Sequence, residues 1–201
     1  AGCKLNGVKF YGQRAPEVVI SYAAALMAAN GGSLAATFEE LLTSRNGVRF
    51  TAENVQFYGN GGIGGEINGD AGLMGSLAFL KEMGVEIPEG TMVSQAVYAA
   101  IDGQLCAVYA ISYAKMRSAA AGLVSLCGYR KLTLVKLPGD FLLPEEFLRS
   151  KFSIKTRRLV FPTRETGILL QHCHPNPEEP VLALTTRDER VSSAYAITGA
   201  R

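Results

Sequence analysis

What this 201-residue sequence lacks does most to bound its function. It lacks a strong charge of either sign: Lys and Arg total 20, Asp and Glu 18, for a formal net charge of +2. Taken over the whole chain, that balance predicts no strong pull toward nucleic acid or an anionic membrane. It lacks any apolar run near the ~20 residues that cross a bilayer, and no signal peptide opens it. As given, it reads as a soluble piece. It lacks framework spacing among Cys3, Cys106, Cys127 and Cys173, which favours a reducing compartment. It also lacks a second cluster of metal ligands. His172-Cys173-His174 would put two imidazoles on one strand face, but a structural zinc needs four ligands, so no metal is expected. Nothing orients a Cys-His nucleophile there either. Glu39-Glu40 and Glu178-Glu179 are adjacent surface pairs, not opposed carboxylates for acid–base work. Aromatic residues do not interleave with basic ones, which leaves nucleic-acid stacking unsupported. The basic run Lys155 to Arg158, preceded by Arg149 and Lys151, reads as a solvated face.

What is abundant is glycine in one place. Gly59-Asn60-Gly61-Gly62-Ile63-Gly64-Gly65-Glu66-Ile67-Asn68-Gly69 leads into Leu73-Met74-Gly75-Ser76. Such density implies either close backbone approach to a ligand or very tight turns. Gly59, Gly61 and Gly64 satisfy G-x-G-x-x-G, yet the dinucleotide site needs a helix starting within that pattern. A short strand and an Asn-Gly hairpin turn follow instead. The glycines are therefore expected between β-strands, and the Rossmann reading fails.

The remainder, 48% hydrophobic and 19% charged, suits one good core or two small ones. Cys3 to Tyr11 reads as a strand, with Asn6-Gly7 as a possible turn. Pro16 suits the first turn of an Ala-rich buried helix that Asn30-Gly31-Gly32 stops, and Ser33 is the expected N-cap of the next. Val48 to Tyr58 reads as a strand region, and Ser76 starts a short helix ended by Gly84. Ala96 to Ile101 and Leu105 to Ile111 form a hairpin around Asp102-Gly103. Ala114 to Leu126 is helical and Leu132 to Val135 a strand, read together with the preceding strand as a parallel crossover. Further helices are expected over Pro144 to Lys151, Glu165 to Gln171 and Ser192 to Ile197, and strands at Leu159 to Phe161 and Val181 to Leu184.

Ile63, Gly65, Ile67, Gly69, Gly75 and Ser76 resemble the G-x-G-V-x-G-x-V-x-G-x-x-V-x-x-G-N pattern of P-type ATPase nucleotide-binding domains, the heavy-metal type in particular. Gly62 takes the second glycine of that pattern and Asn60 replaces the first. Val97 to Gly103, running on to Ala110-Ile111, is similar to the family's V-Y-V-A-x-D-G hairpin. Leu137-Pro138-Gly139-Asp140 lies where the family carries L-T-G-D. The match is collinear over most of Pro16 to Asp140. It implies an α/β (α+β) chain: an antiparallel-sheet nucleotide-binding-like domain over 1–112, then an incomplete HAD/Rossmann-like parallel-sheet phosphorylation domain over 113–201. Gly62, Ile63, Gly64 and Gly65 would be the possible nucleotide contacts, ATP with Mg²⁺ the possible cofactor, and Asp140 the one candidate catalytic residue. The implied partner is the protein's own transmembrane region, at the cytoplasmic face of a bacterial membrane.

The departures from the family concern its chemistry. The Ser-Glu-His-Pro segment that contacts adenine is matched to Asn30 to Ala35, without His or Glu. Pro138 has no hydroxyl for a phosphoryl group. Arg164 or Glu165 stands where the phosphate-neutralising lysine belongs, and Thr185 to Glu189 does not match the G-D-G-x-N-D magnesium motif. The Asp-Lys-Thr-Gly-Thr nucleophile segment is absent; in the family it would precede Ala1. Phosphoryl transfer works by positioning and charge neutralisation, so these losses predict a degenerate module without ATPase activity. Two alternatives stay open: a functional cation-transporting ATPase whose nucleophile lies upstream, and an interaction or sensing module that uses no nucleotide.

Overall fold

The computed structural model describes residues 3–59, 61–114, 117–129, 133–136, 145–155, 159–161, 181–184 and 194–198. The chain divides into two compact units, Gly2–Ala114 and Lys115–Arg201, with Ala1 assigned to the second.

The first unit is built on a six-stranded antiparallel sheet. Its strands are β1 (Cys3–Phe10), β2 (Glu53–Tyr58), β3 (Gly62–Ile67), β4 (Asp70–Gly75), β5 (Ala96–Ile101) and β6 (Gln104–Tyr113). Their order is β1-β6-β5-β4-β3-β2. Two tight turns set the register of the centre. Asn68 and Gly69 (φ 53° and 83°) join β3 to β4, and Asp102 and Gly103 (φ 49° and 78°) join β5 to β6. Both central residues of each turn are left-handed, the geometry that Asn-Gly and Asp-Gly accept at little cost. Cys3 pairs with Tyr113, so the two ends of this unit lie side by side on adjacent strands.

Helices α1 (Pro16–Asn30) and α2 (Gly32–Ser44) cover one face of the sheet, and α3 (Leu77–Glu82) covers the other. Pro16 occupies the first turn of α1, as its missing N–H allows. Nine successive residues of α1, Val19 to Met27, are buried. The sheet, α2 and Phe50, whose ring meets Tyr22 edge-on at 5.7 Å, leave that stretch no solvent face. Phe38 of α2 reaches Tyr109 of β6 in the same way, with centroids 4.7 Å apart. On the opposite face Phe79 and Leu80 of α3 pack with Val85, Tyr98 and Val108. The Tyr98 hydroxyl donates to the Thr91 carbonyl and accepts from the Val93 N–H, which pins the loop leading into β5.

Three expectations for this unit need correction. Asn6-Gly7 is not a turn: β1 runs straight through it with an irregularity between Leu5 and Gly7. β1 is an edge strand, where a bulge obstructs pairing with another chain. The strand before the glycines starts only at Glu53, and its first residues are irregular: Asn54 takes φ 48° and the register shifts between Glu53 and Gln56. Ser33 does not cap α2. Gly31, at φ 75°, holds the N-cap position and Ser33 lies inside the helix, its carbonyl accepting from the Thr37 hydroxyl.

The second unit contains α4 (Arg117–Cys127), α5 (Glu145–Phe152) and a four-stranded sheet ordered β10-β9-β7-β8. Its strands are β7 (Thr133–Lys136), β8 (Leu159–Val160), β9 (Val181–Leu184) and β10 (Ala194–Thr198). β7 runs parallel to both β8 and β9, while β10 is antiparallel to β9. Ile154 and Leu159 form its buried centre, with Leu123, Leu126, Cys127, Phe152 and Phe161 against them. The crossover expected between β6 and β7 does not exist, since those strands belong to different sheets. The parallel crossover runs instead from β7 through α5 to β8. Ser192 to Ile197 is not a helix: Ala194–Thr198 pairs with β9, whose free edge makes extended backbone the better choice. Asp140, Arg164, the helix expected over Glu165 to Gln171 and the His172-Cys173-His174 stretch lie outside the described residues.

Candidate functional site

The glycine stretch is divided: Gly59, Gly61 and Gly69 lie in turns between strands, as expected, while Gly62, Gly64 and Gly65 lie within one. Gly62, Ile63, Gly64 and Gly65 open β3 and pair with Gly75, Met74, Leu73 and Gly72 of β4. Strand alternation sends positions 62 and 64 to the α3 face and positions 63 and 65 to the α1 face. A Cβ at Gly62 would lie 2.1 Å from the Phe79 ring, and one at Gly75 2.4 Å from it. At Gly64 the neighbours are Leu73 and Tyr58, at 3.0 and 3.3 Å. At Gly65 and Gly72 the neighbour is Leu26 of α1, at 3.2 and 3.1 Å. Ile63 is fully buried. Each glycine therefore makes room for a side chain of this protein.

Ser76 places Phe79. Its hydroxyl accepts from the Phe79 N–H as an N-cap, and its own N–H donates to the Gly61 carbonyl. The cap turns α3 so that the Phe79 ring falls on the Gly62–Gly75 pair, with Tyr58 5.1 Å away at a tilt of 45°. Residues 50–80 contain no Lys or Arg. The hairpin thus brings no cation of its own to a phosphate.

A second group of polar side chains sits at the other end of the hairpin, and sequence reasoning missed it. Arg14, just before α1, donates to Asp70 Oδ2 (3.1 Å) and Asp102 Oδ2 (2.9 Å), one acid from each tight-turn region. The Tyr22 hydroxyl donates to Asp70 Oδ2 at 2.7 Å, and Asp102 Oδ1 accepts from the Ala71 N–H. Asp102 lies in the Asp102-Gly103 turn and Asp70 opens β4 directly after the Asn68-Gly69 turn. Nothing local signals an arginine 56 and 88 positions away. Tyr22's hydrogen bond, with the Arg14 guanidinium, holds the Asp70 carboxyl below the ordinary 3.8, against the opposing effect of burial. The same bond raises Tyr22. With its acids already engaged by Arg14, the group has no base to offer and acts as a clip between α1 and two turns.

The clip has a pH signature. A lowered Asp70 stabilises the fold above 3.8, and that contribution disappears as pH falls through the lowered value. Tyr22→Phe removes the bond, so the stability difference between wild type and Tyr22→Phe should be constant at neutral pH and shrink below 3.8. Urea unfolding from pH 7 downward measures it. A difference that stays constant through that acid range would show that the bond is not what shifts Asp70.

Among the described residues no group of three or more His, Cys, Asp or Glu could hold a metal ion, and no helix is long and apolar enough to cross a membrane. An apolar void between α1 and the sheet, lined by Val19, Leu26, Gly72 and Met74 among others, has about 10 Å³, enough for roughly one water-sized sphere.

No family model matches the chain, and no curated protein does. Solved structures do. The N-domain of HMA6, a copper-transporting P-type ATPase, is similar at 18% identity, covering 56% of this chain and 100% of that one, with a TM-score of 0.47. The N-domain of HMA8, also a copper-transporting P-type ATPase, is similar at 21% identity over 54% of this chain and 98% of that one, TM-score 0.46. The catalytic domain of the CPx-ATPase CopB-B is similar at 12% identity over 81% of this chain, with a TM-score of 0.47; the chain spans 55% of that domain's length.

Proposed function

We propose that this chain is the cytosolic part of a P-type ATPase-like bacterial membrane protein whose nucleotide-binding-like domain is catalytically degenerate. The observation that carries the proposal is the glycine hairpin. It keeps the family's spacing from Gly62 to Ser76, yet its glycines are filled by Phe79, Leu73, Tyr58 and Leu26 and no Lys or Arg occurs from 50 to 80. Asn30 to Ala35, matched to the family's Ser-Glu-His-Pro segment, carries neither His nor Glu. Arg14, just ahead of α1, is committed to Asp70 and Asp102. The pairing of Cys3 with Tyr113 supports a module carried on two adjacent strands by a larger protein. In this reading the second unit is an incomplete HAD-like domain, and Asp140 is its weak remnant of a site. ATP and Mg²⁺, if used at all, would meet the backbone of Gly62 to Gly65.

The test is nucleotide binding by the purified chain. A ligand specific for the folded state at 100 times its Kd adds about 2.7 kcal/mol of stability, a shift that thermal melting resolves easily. ATP with Mg²⁺ is expected to raise the Tm only slightly and only at millimolar concentration, and γ-labelled ATP to leave no phosphate on the chain. Saturable, Mg²⁺-dependent binding in the micromolar range would overturn the degenerate reading and favour a working cation-transporting ATPase. Complete indifference to every nucleotide would favour the interaction or sensing module, which the filled glycines also suit.

A further inference from the structure

We infer that the second unit docks on an anionic phospholipid surface through the outer stripe of α4 and its basic surroundings. The inference does not depend on nucleotide binding. The +2 of the whole chain is a sum of opposites. Residues 2–114 carry 6 Lys or Arg and 10 Asp or Glu, a net −4; residues 115–201 carry 14 and 8, a net +6. The excess is concentrated at the start of the second unit, where residues 115–139 hold 5 Lys or Arg and no acid. Whole-chain composition excluded attraction to an anionic membrane; the division into units removes that exclusion for residues 115–201.

Charge alone would suit any polyanion, and the apolar surface decides between them. Leu123, Leu126 and Cys127 turn α4 toward the Ile154–Leu159 core. The stripe on its other side, Arg117, Ala121 and Val124 at i, i+4 and i+7, is exposed. Val124 is 64% exposed, and Tyr129, two residues past the helix end, is 63% exposed. Lys155, beyond α5, is exposed as well. An exposed valine and tyrosine in a stretch of sequence that carries cations and no acid is the combination that enters the headgroup region of a bilayer. There a tyrosine keeps its hydroxyl wet while its ring is buried. Single-stranded RNA instead needs successive aromatic platforms, and Phe147, Phe152 and Phe161 of this unit are not exposed as Tyr129 is.

The experiment is co-sedimentation of the full chain with vesicles of phosphatidylcholine alone or with about one-third phosphatidylserine, near physiological salt and at about 0.5 M salt, with single-stranded RNA as competitor. Binding should rise about tenfold with phosphatidylserine and fall at high salt. Arg117→Glu combined with Lys155→Glu should lower it about tenfold. Val124→Ser combined with Tyr129→Ser should lower it several-fold while leaving the salt dependence in place. All four positions are exposed, and an unchanged melting curve verifies that each variant folds. No binding, equal binding to neutral vesicles, or RNA that competes fully while the serine variant binds as wild type would each overturn the proposal.

Discussion

Gly75→Ala is expected to destabilise the first unit by about 3 kcal/mol, a large share of the roughly 5–15 kcal/mol that holds a domain folded. The new Cβ would lie 2.4 Å from Phe79 Cδ1, 2.5 Å from the Gly61 carbonyl oxygen and 2.8 Å from Gly62 Cα. Two of those neighbours are backbone, so relief requires β3 and β4 to separate. Gly62→Ala meets a different obstacle. Its three nearest neighbours are all atoms of the Phe79 ring, at 2.1 to 2.5 Å, and a side chain can be exchanged. Phe79→Leu should therefore rescue much of Gly62→Ala and little of Gly75→Ala, a coupling that a double-mutant cycle in urea would read. Wild-type stability in Gly75→Ala would refute the packing account, as would equal rescue at both positions. The outcome also bears on function, because glycines held in place by Phe79 need no ligand to explain them.

Leu26→Ala should cost about 2–5 kcal/mol, the range for emptying a buried leucine site. Leu26 is 1% exposed and its methyl groups cover both Gly65 and Gly72. Its loss would enlarge the void already present beneath α1. Gly72→Ala alone meets only the tips of Leu26 and Ile67, at 3.1 and 3.2 Å, and should be mildly unfavourable. In the Leu26→Ala background the same methyl enters vacated space, while alanine also lowers the entropy of the unfolded strand. The double variant should accordingly be more stable than the sum of the single effects predicts. Strict additivity by thermal or chemical unfolding would mean that Leu26 and Gly72 do not share the site.

Reading the sequence succeeded where a residue's own backbone chemistry decides. Asn68-Gly69 and Asp102-Gly103 are the two left-handed turns they were expected to be, and Pro16 and Ser76 start the helices they were expected to start. It failed where a neighbour far along the chain decides. Asn6-Gly7 has turn chemistry, but seven pairings with β6 hold β1 extended around it. Ala194–Thr198 has a short apolar pattern that suits helix or strand, and the edge of β9 selects strand. For the candidate site, the positions of the glycines were legible and their use was not.

The sequence by itself determined the hairpins, the helix starts and the family spacing of the glycine stretch, because φ preference, capping and pattern are carried by residues a few positions apart. Only the tertiary structure decided what those glycines face. Phe79 and Leu26 close over them from opposite sides of the sheet, which depends on how α3 and α1 pack. Only the tertiary structure joined Arg14 to Asp70 and Asp102, because two turns distant in sequence become neighbours only once β4 and β5 pair. The unit boundary at Ala114 separates an acidic part from a basic one, as the boundary read from the sequence at 112 already does. Charge acts over distances in space, and only folding sets those distances.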